Sequence, residues 1–82
     1  MDRTNAIRLI KVLVAEGYDS DTPIPNAQIA AVALQISLEG EDLDAAVDYA
    51  GKYGWLNRTQ KAGWTSLTHA GETAAKPKRY TR

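Results

Sequence analysis

Residues 54–71 read Gly54-Trp55-Leu56-Asn57-Arg58-Thr59-Gln60-Lys61-Ala62-Gly63-Trp64-Thr65-Ser66-Leu67-Thr68-His69-Ala70-Gly71. Two arms rich in strand-favouring Trp and Thr, 55–59 and 64–67, flank a four-residue linker containing Gly63, and this pattern predicts a β-hairpin. In that register Thr59 faces Trp64 and Leu56 faces Leu67. Strand side chains alternate, so both leucines fall on one side as a core patch, while Trp55, Asn57, Thr59, Trp64 and Ser66 line the other. Arg58, Gln60 and Lys61 fall at the tip. An amphipathic ribbon with a basic tip, entered from a helix, suggests a small recognition domain.

Upstream of the ribbon, Thr4 or Asn5 can cap a first helix with Ala6, Ile7, Ile10, Leu13 and Val14 on one face, and Gly17 is placed to end it. Residues 18–25 hold Asp19, Ser20, Asp21, Pro23 and Pro25, a turn-rich link in which Ile24 forms at most a minimal edge strand. Asn26 then reads as the cap of a short second helix over 27–34, buried through Ile29, Ala30, Val32, Ala33 and Leu34. Ser37 reads as the cap of a third. There Leu43, Ala46, Val47 and Ala50 repeat at helical spacing until Gly51, Tyr53 and Gly54 unwind it into the hairpin. Past the ribbon, Thr68 can cap a short last helix that contains Gly71 and stops at Pro77. The expected organisation is one folded domain, 1–75, and a basic tail, 76–82.

The chain has 82 residues, enough for one core near the lower limit of self-sufficiency. It has no cysteine, so disulfides and thiolate metal sites are excluded. The longest apolar-leaning run, 29–34, is far short of the roughly twenty residues a membrane span needs, and the N-terminus lacks the plan of a signal peptide. The expectation is a soluble cytoplasmic protein with no membrane partner.

Net charge is zero but unevenly distributed. Residues 37–54 carry Lys52 against Glu39, Glu41, Asp42, Asp44 and Asp48, a balance of −4. Residues 55–82 carry Arg58, Lys61, Lys76, Lys78, Arg79 and Arg82 against Glu72, a balance of +5. Only this end has an electrostatic case for a polyanion.

Three stretches carry a family likeness: Asn26-Ala27-Gln28-Ile29-Ala30, then Leu43-x-x-Ala46-Val47-x-Tyr49-Ala50-x-x-Tyr53-Gly54-Trp55-Leu56, and finally Leu67-Thr68-x-x-Gly71. In the order helix, helix, helix, hairpin, the chain resembles the winged helix-turn-helix superfamily, particularly small bacterial and phage regulators of the multiple-antibiotic-resistance and phenolic-acid-repressor kind. The resemblance implies a mainly α fold with a small β-hairpin, of α+β class: a three-helix bundle plus wing. It also implies a third helix in the major groove and a wing on the neighbouring backbone or minor groove.

Helix 3 departs from that pattern. Opposite its core stripe lie Glu41, Ala45, Asp48 and Lys52, flanked by Asp44 and Tyr49, and carboxylates near phosphates forfeit the counterion release that supplies most non-specific affinity. Two functions therefore stand. The first is a small DNA-binding transcriptional regulator that anchors on double-stranded DNA through Arg58, Gln60 and Lys61 of the wing and Lys76, Lys78, Arg79 and Arg82 of the tail, with Gln28 and Asn57 available for base reading. The alternative is a protein-interaction module, without direct DNA binding, that uses Glu41, Asp44, Asp48 and an exposed Trp64. A homodimer suits either, with Leu9 and Val12, off the main stripe of helix 1, as the self-contact surface.

The sequence argues against an enzyme. His69, the one histidine, sits at a helix start without a Ser or Cys nucleophile context, and reads as a surface residue. Asp19-Ser20-Asp21 lacks the Gly and Glu that a calcium loop needs at positions 24 and 30. Gly51, Gly54 and Gly63 do not form a phosphate loop. No catalytic residue, metal or cofactor is expected.

Overall fold

Ala6, Leu9, Ile10 and Leu13 recur at three- and four-residue spacing, and they are the fully buried residues of the first helix, α1 (Asp2–Ala15). They belong to a computed structural model that describes residues 2–61 and 63–75, with residues 58–61 described through their backbone. After α1 come β1 (Ile24–Pro25), α2 (Asn26–Leu34), α3 (Gly40–Lys52), β2 (Leu56–Lys61), β3 (Trp64–Leu67) and α4 (His69–Ala75). The described chain is an α+β domain of four helices and a three-stranded antiparallel sheet in the order β1-β3-β2. None of its helices is long and apolar enough to cross a membrane.

The α1 helix starts at Asp2, so neither Thr4 nor Asn5 caps it. It lies against α2, α3 and α4 at once. That enclosure corrects the expectation for Leu9, which has no exposure and so forms no self-contact surface, while Val12 is half-buried against the core. A helix covered by one neighbour shows one apolar stripe, whereas three neighbours demand a wider one.

Helices α1, α2 and α3 end in the same paired backbone bonds. Gly17 N–H and Tyr18 N–H donate to Val14 and Leu13, Ser37 and Leu38 donate to Leu34 and Ala33, and Gly54 and Trp55 donate to Gly51 and Ala50. The residue that turns the chain is left-handed, with φ of 58° at Ser37 and 77° at Gly54. Ser37 therefore terminates α2 and does not cap α3, whose flanking residue is Glu39. From α1, Arg8 Nη2 donates to the Ile36 carbonyl at 2.7 Å and ties down this α2–α3 turn.

Asn26 is likewise not a cap. It is the first residue of α2, no side-chain cap bond is made there, and its Oδ1 accepts instead from Thr65 Oγ1 at 2.9 Å. Ile29, Val32 and Ala33 are buried as expected, but Ala30 is exposed and Leu34 is 56% exposed. In α3, Ala46 and Ala50 face the core while Leu43 and Val47 are half-buried.

Leu56 pairs with Leu67 and Asn57 with Ser66, as the hairpin reading requires, and both leucines are buried. Thr59 does not face Trp64. Lys61 does, because β2 carries two more residues than β3 between the Asn57 and Lys61 pairs. Ile24 pairs with Thr65, making β1 a two-residue edge strand in which Pro25 removes no interior ladder bond. Ser66, expected on the open face, is buried, since β3 is the central strand.

Thr68 caps α4 as its sequence suggests. Its Oγ1 accepts from Gly71 N–H at 3.0 Å and donates to the Gly54 carbonyl, fastening α4 to the end of α3. Glu72, on the next residue, accepts from Ser20 N–H and holds the α1–β1 loop against α4.

Candidate functional site

The residues expected to meet DNA do not share one described surface. Gln28 is exposed in the first turn of α2, and Asn57 is half-buried in β2 opposite Ser66. Arg58, Gln60 and Lys61 all fall within β2, so the strand carries them toward the tip, but their side chains lie outside the described residues. Lys76, Lys78, Arg79 and Arg82, with the whole of the expected tail 76–82, also lie outside them.

The acidic set does come together. Glu41, Asp44 and Asp48 are exposed and recur at three and four residues along α3, so they form one ridge, joined by exposed Asp42 in the first turn. Asp44 and Asp48 also form the lip of a groove between α2 and α3 with a volume of about 420 Å³. Its more buried lining is apolar, Ile29 of α2 with Leu43 and Val47 of α3, and the hydrogen-bonded pair Asn26 and Thr65 also lines it. Exposed Ala27, Ala30, Ala31 and Leu34 continue the apolar surface along α2. Sequence periodicity assigned Leu43 and Val47 to the core and so missed the groove. A weak signal was available, because an α2 apolar on nearly all sides needs more cover than a bundle of this length supplies.

Trp64 is 38% exposed at the tip end of β3, opposite Pro25 on one side and Lys61 on the other. Three other aromatic residues cluster with tilted rings: Tyr49 and Tyr53 ring centres are 4.5 Å apart, and Trp55 lies 5.9 Å from Tyr49 and 6.2 Å from Tyr53. Lys52 Nζ sits 5.9 Å from the centre of the Tyr53 ring, and Arg3 donates to the Tyr49 hydroxyl at 3.4 Å. This cluster packs Trp55 against the core at the junction of α3 and β2.

His69 is a surface residue, its side chain 93% exposed, with Nδ1 3.9 Å from Glu72 Oε1. Asp19 Oδ1 accepts from Asp21 N–H and Thr22 Oγ1, so the 19–21 run is a self-bonded turn. Among the described residues no three acidic or histidine side chains are grouped as a metal would require. No protein-family model matches the chain, and neither does any curated protein or any solved structure.

Proposed function

We propose that the chain is a winged helix-turn-helix protein that binds double-stranded DNA in the cytoplasm as a small transcriptional regulator, with the β2–β3 ribbon as its wing. The element order α1, β1, α2, α3, β2, β3 and the placement of β3 between β1 and β2 support this reading. The α2–α3 pair, joined by a tight turn at Ser37, supplies the helix-turn-helix.

One observation carries the DNA reading. The Lys61–Trp64 pair and the two added residues of β2 extend a strand bearing Arg58 and Lys61 beyond its Leu56–Leu67 anchor in the core. Cations on a projecting ribbon can reach phosphates that a compact face cannot. The ridge of Glu41, Asp44 and Asp48 disfavours insertion of α3 into the major groove, so ribbon and C-terminal cations lead the contact. With about six phosphates neutralised, log affinity should fall with log salt at a slope near −5.

The test is an amide-resolved NMR titration with mixed-sequence duplex DNA at low and at physiological salt, repeated with Arg58→Glu and Lys61→Glu combined. Shifts confined to residues 58–64 and 76–82, weakened by salt and lost in the variant without a change in thermal unfolding, are expected. Retained affinity in the variant would remove the wing as the anchor, and silence at low salt would leave the protein-interaction alternative, which the acid-lipped groove favours.

A further inference from the structure

The groove between α2 and α3 and the exposed Trp64 are chemically complementary. The groove offers an apolar floor of Ile29, Leu43 and Val47 beneath the carboxylates of Asp44 and Asp48. Trp64 offers a partly exposed indole on β3, and the adjacent strand β2 carries Lys61 at the paired position and Arg58 three residues before it. An aromatic anchor on a ribbon whose sequence carries cations is what such a groove accepts: the ring fills the floor and opposite charge favours the lip.

We propose that the protein associates with a second copy of itself by seating Trp64 of one molecule in the α2–α3 groove of the other, with the basic ribbon against the Asp44 lip. Charge distribution selects a second copy as the occupant. Residues 37–54, which include α3, sum to −4, while the ribbon stretch 55–67 carries Arg58 and Lys61 and no acid, so one chain holds both halves of the complement. The contact forms between molecules for a steric reason. Thr65 lines the groove, and adjacent strand residues point to opposite faces, so Trp64 is turned away from the groove of its own chain. Salt weakens the charged rim and leaves the indole contact, so association is strongest at low salt.

This inference goes beyond DNA binding, and its test contains no DNA, so the two stand or fall separately. Sedimentation velocity on the full chain, from micromolar to millimolar concentration at low and high salt, should show concentration-dependent association that salt weakens. Trp64→Ala and Asp44→Lys, both at exposed positions, should each weaken it about tenfold or more while circular dichroism stays unchanged. Trp64→Ala keeps a working groove and Asp44→Lys keeps a working anchor, so an equimolar mixture should form a pair and nothing larger. A wild-type chain that stays monomeric at millimolar concentration and low salt would overturn the proposal, as would either variant associating like the wild type, or a mixture that does not pair.

Discussion

Gly71 of α4 lies directly on the backbone of Trp55. A methyl group on its Cα would overlap the Trp55 carbonyl oxygen and stand 3.1 Å from the carbonyl carbon. Beside it the Thr68 N–H donates to the Trp55 carbonyl and the Thr68 hydroxyl to the Gly54 carbonyl, and together they join the last helix to the α3–β2 junction.

Gly71→Ala therefore has a diagnostic sign. In an unconstrained helix the change would stabilise by about 1 kcal/mol, but the backbone of Trp55 cannot yield as a flexible side chain can. We expect a net loss of about 1–3 kcal/mol in urea unfolding. A gain in stability would mean that α4 does not dock in this position.

Ser37→Gly should do the opposite. Ser37 occupies the left-handed position that ends α2, with φ of 58°, where a Cβ is penalised and glycine is not. Relief of the left-handed penalty, about 1–2 kcal/mol, exceeds the added chain entropy of glycine, so the replacement should raise stability by up to about 1 kcal/mol, read as a higher urea midpoint with unchanged slope. An equal loss would show that Ser37 contributes a side-chain contact outweighing its backbone strain.

Leu9 and Leu34 separate enclosure from sequence pattern. Leu9 is fully buried and Leu34 is 56% exposed. Leu9→Ala should cost about 2–5 kcal/mol and Leu34→Ala no more than about 0.5 kcal/mol. Similar costs for both would contradict the placement of α1 at the centre of the helices.

Reversing Glu41, Asp44 and Asp48 to Lys removes the acidic ridge that opposes phosphate. If the wing anchors DNA, the change should tighten duplex binding about tenfold or more and steepen its salt dependence. Fluorescence anisotropy with a labelled duplex reads both quantities, and an unaltered affinity would place the ridge away from DNA.

Much of this architecture was legible in local sequence. Ile10 and Leu13 announce the inner face of α1, Leu56 and Leu67 the anchor of the ribbon, Gly17 and Thr68 a helix stop and a helix start, and Ile24 its edge strand. Each depends on residues within one turn or on one strand pair, where the spacing of apolar side chains and the hydrogen-bonding habits of Gly and Thr act directly. The acidic ridge of α3 and the basic strand of the ribbon were legible for the same reason, since charge and helical period are properties of the chain itself.

Tertiary structure decided the rest, wherever a side chain had two locally acceptable roles. Asn26 satisfies the rule for a cap, but Thr65, 39 residues away, takes its oxygen. Ser37 satisfies the same rule, yet the bond from Leu38 N–H back to Ala33 makes it the end of the preceding helix. Thr59 and Lys61 were equally able to face Trp64, and the two added residues of β2 chose Lys61. Leu43 and Val47 carry the spacing of core residues, and only the separation of α2 from α3 turned them into the floor of a groove. Sequence set which faces are apolar and where charge accumulates, because those follow from side-chain order. What each face meets was set by the packing of α1, α4 and the central strand, because enclosure depends on neighbours far away in the chain.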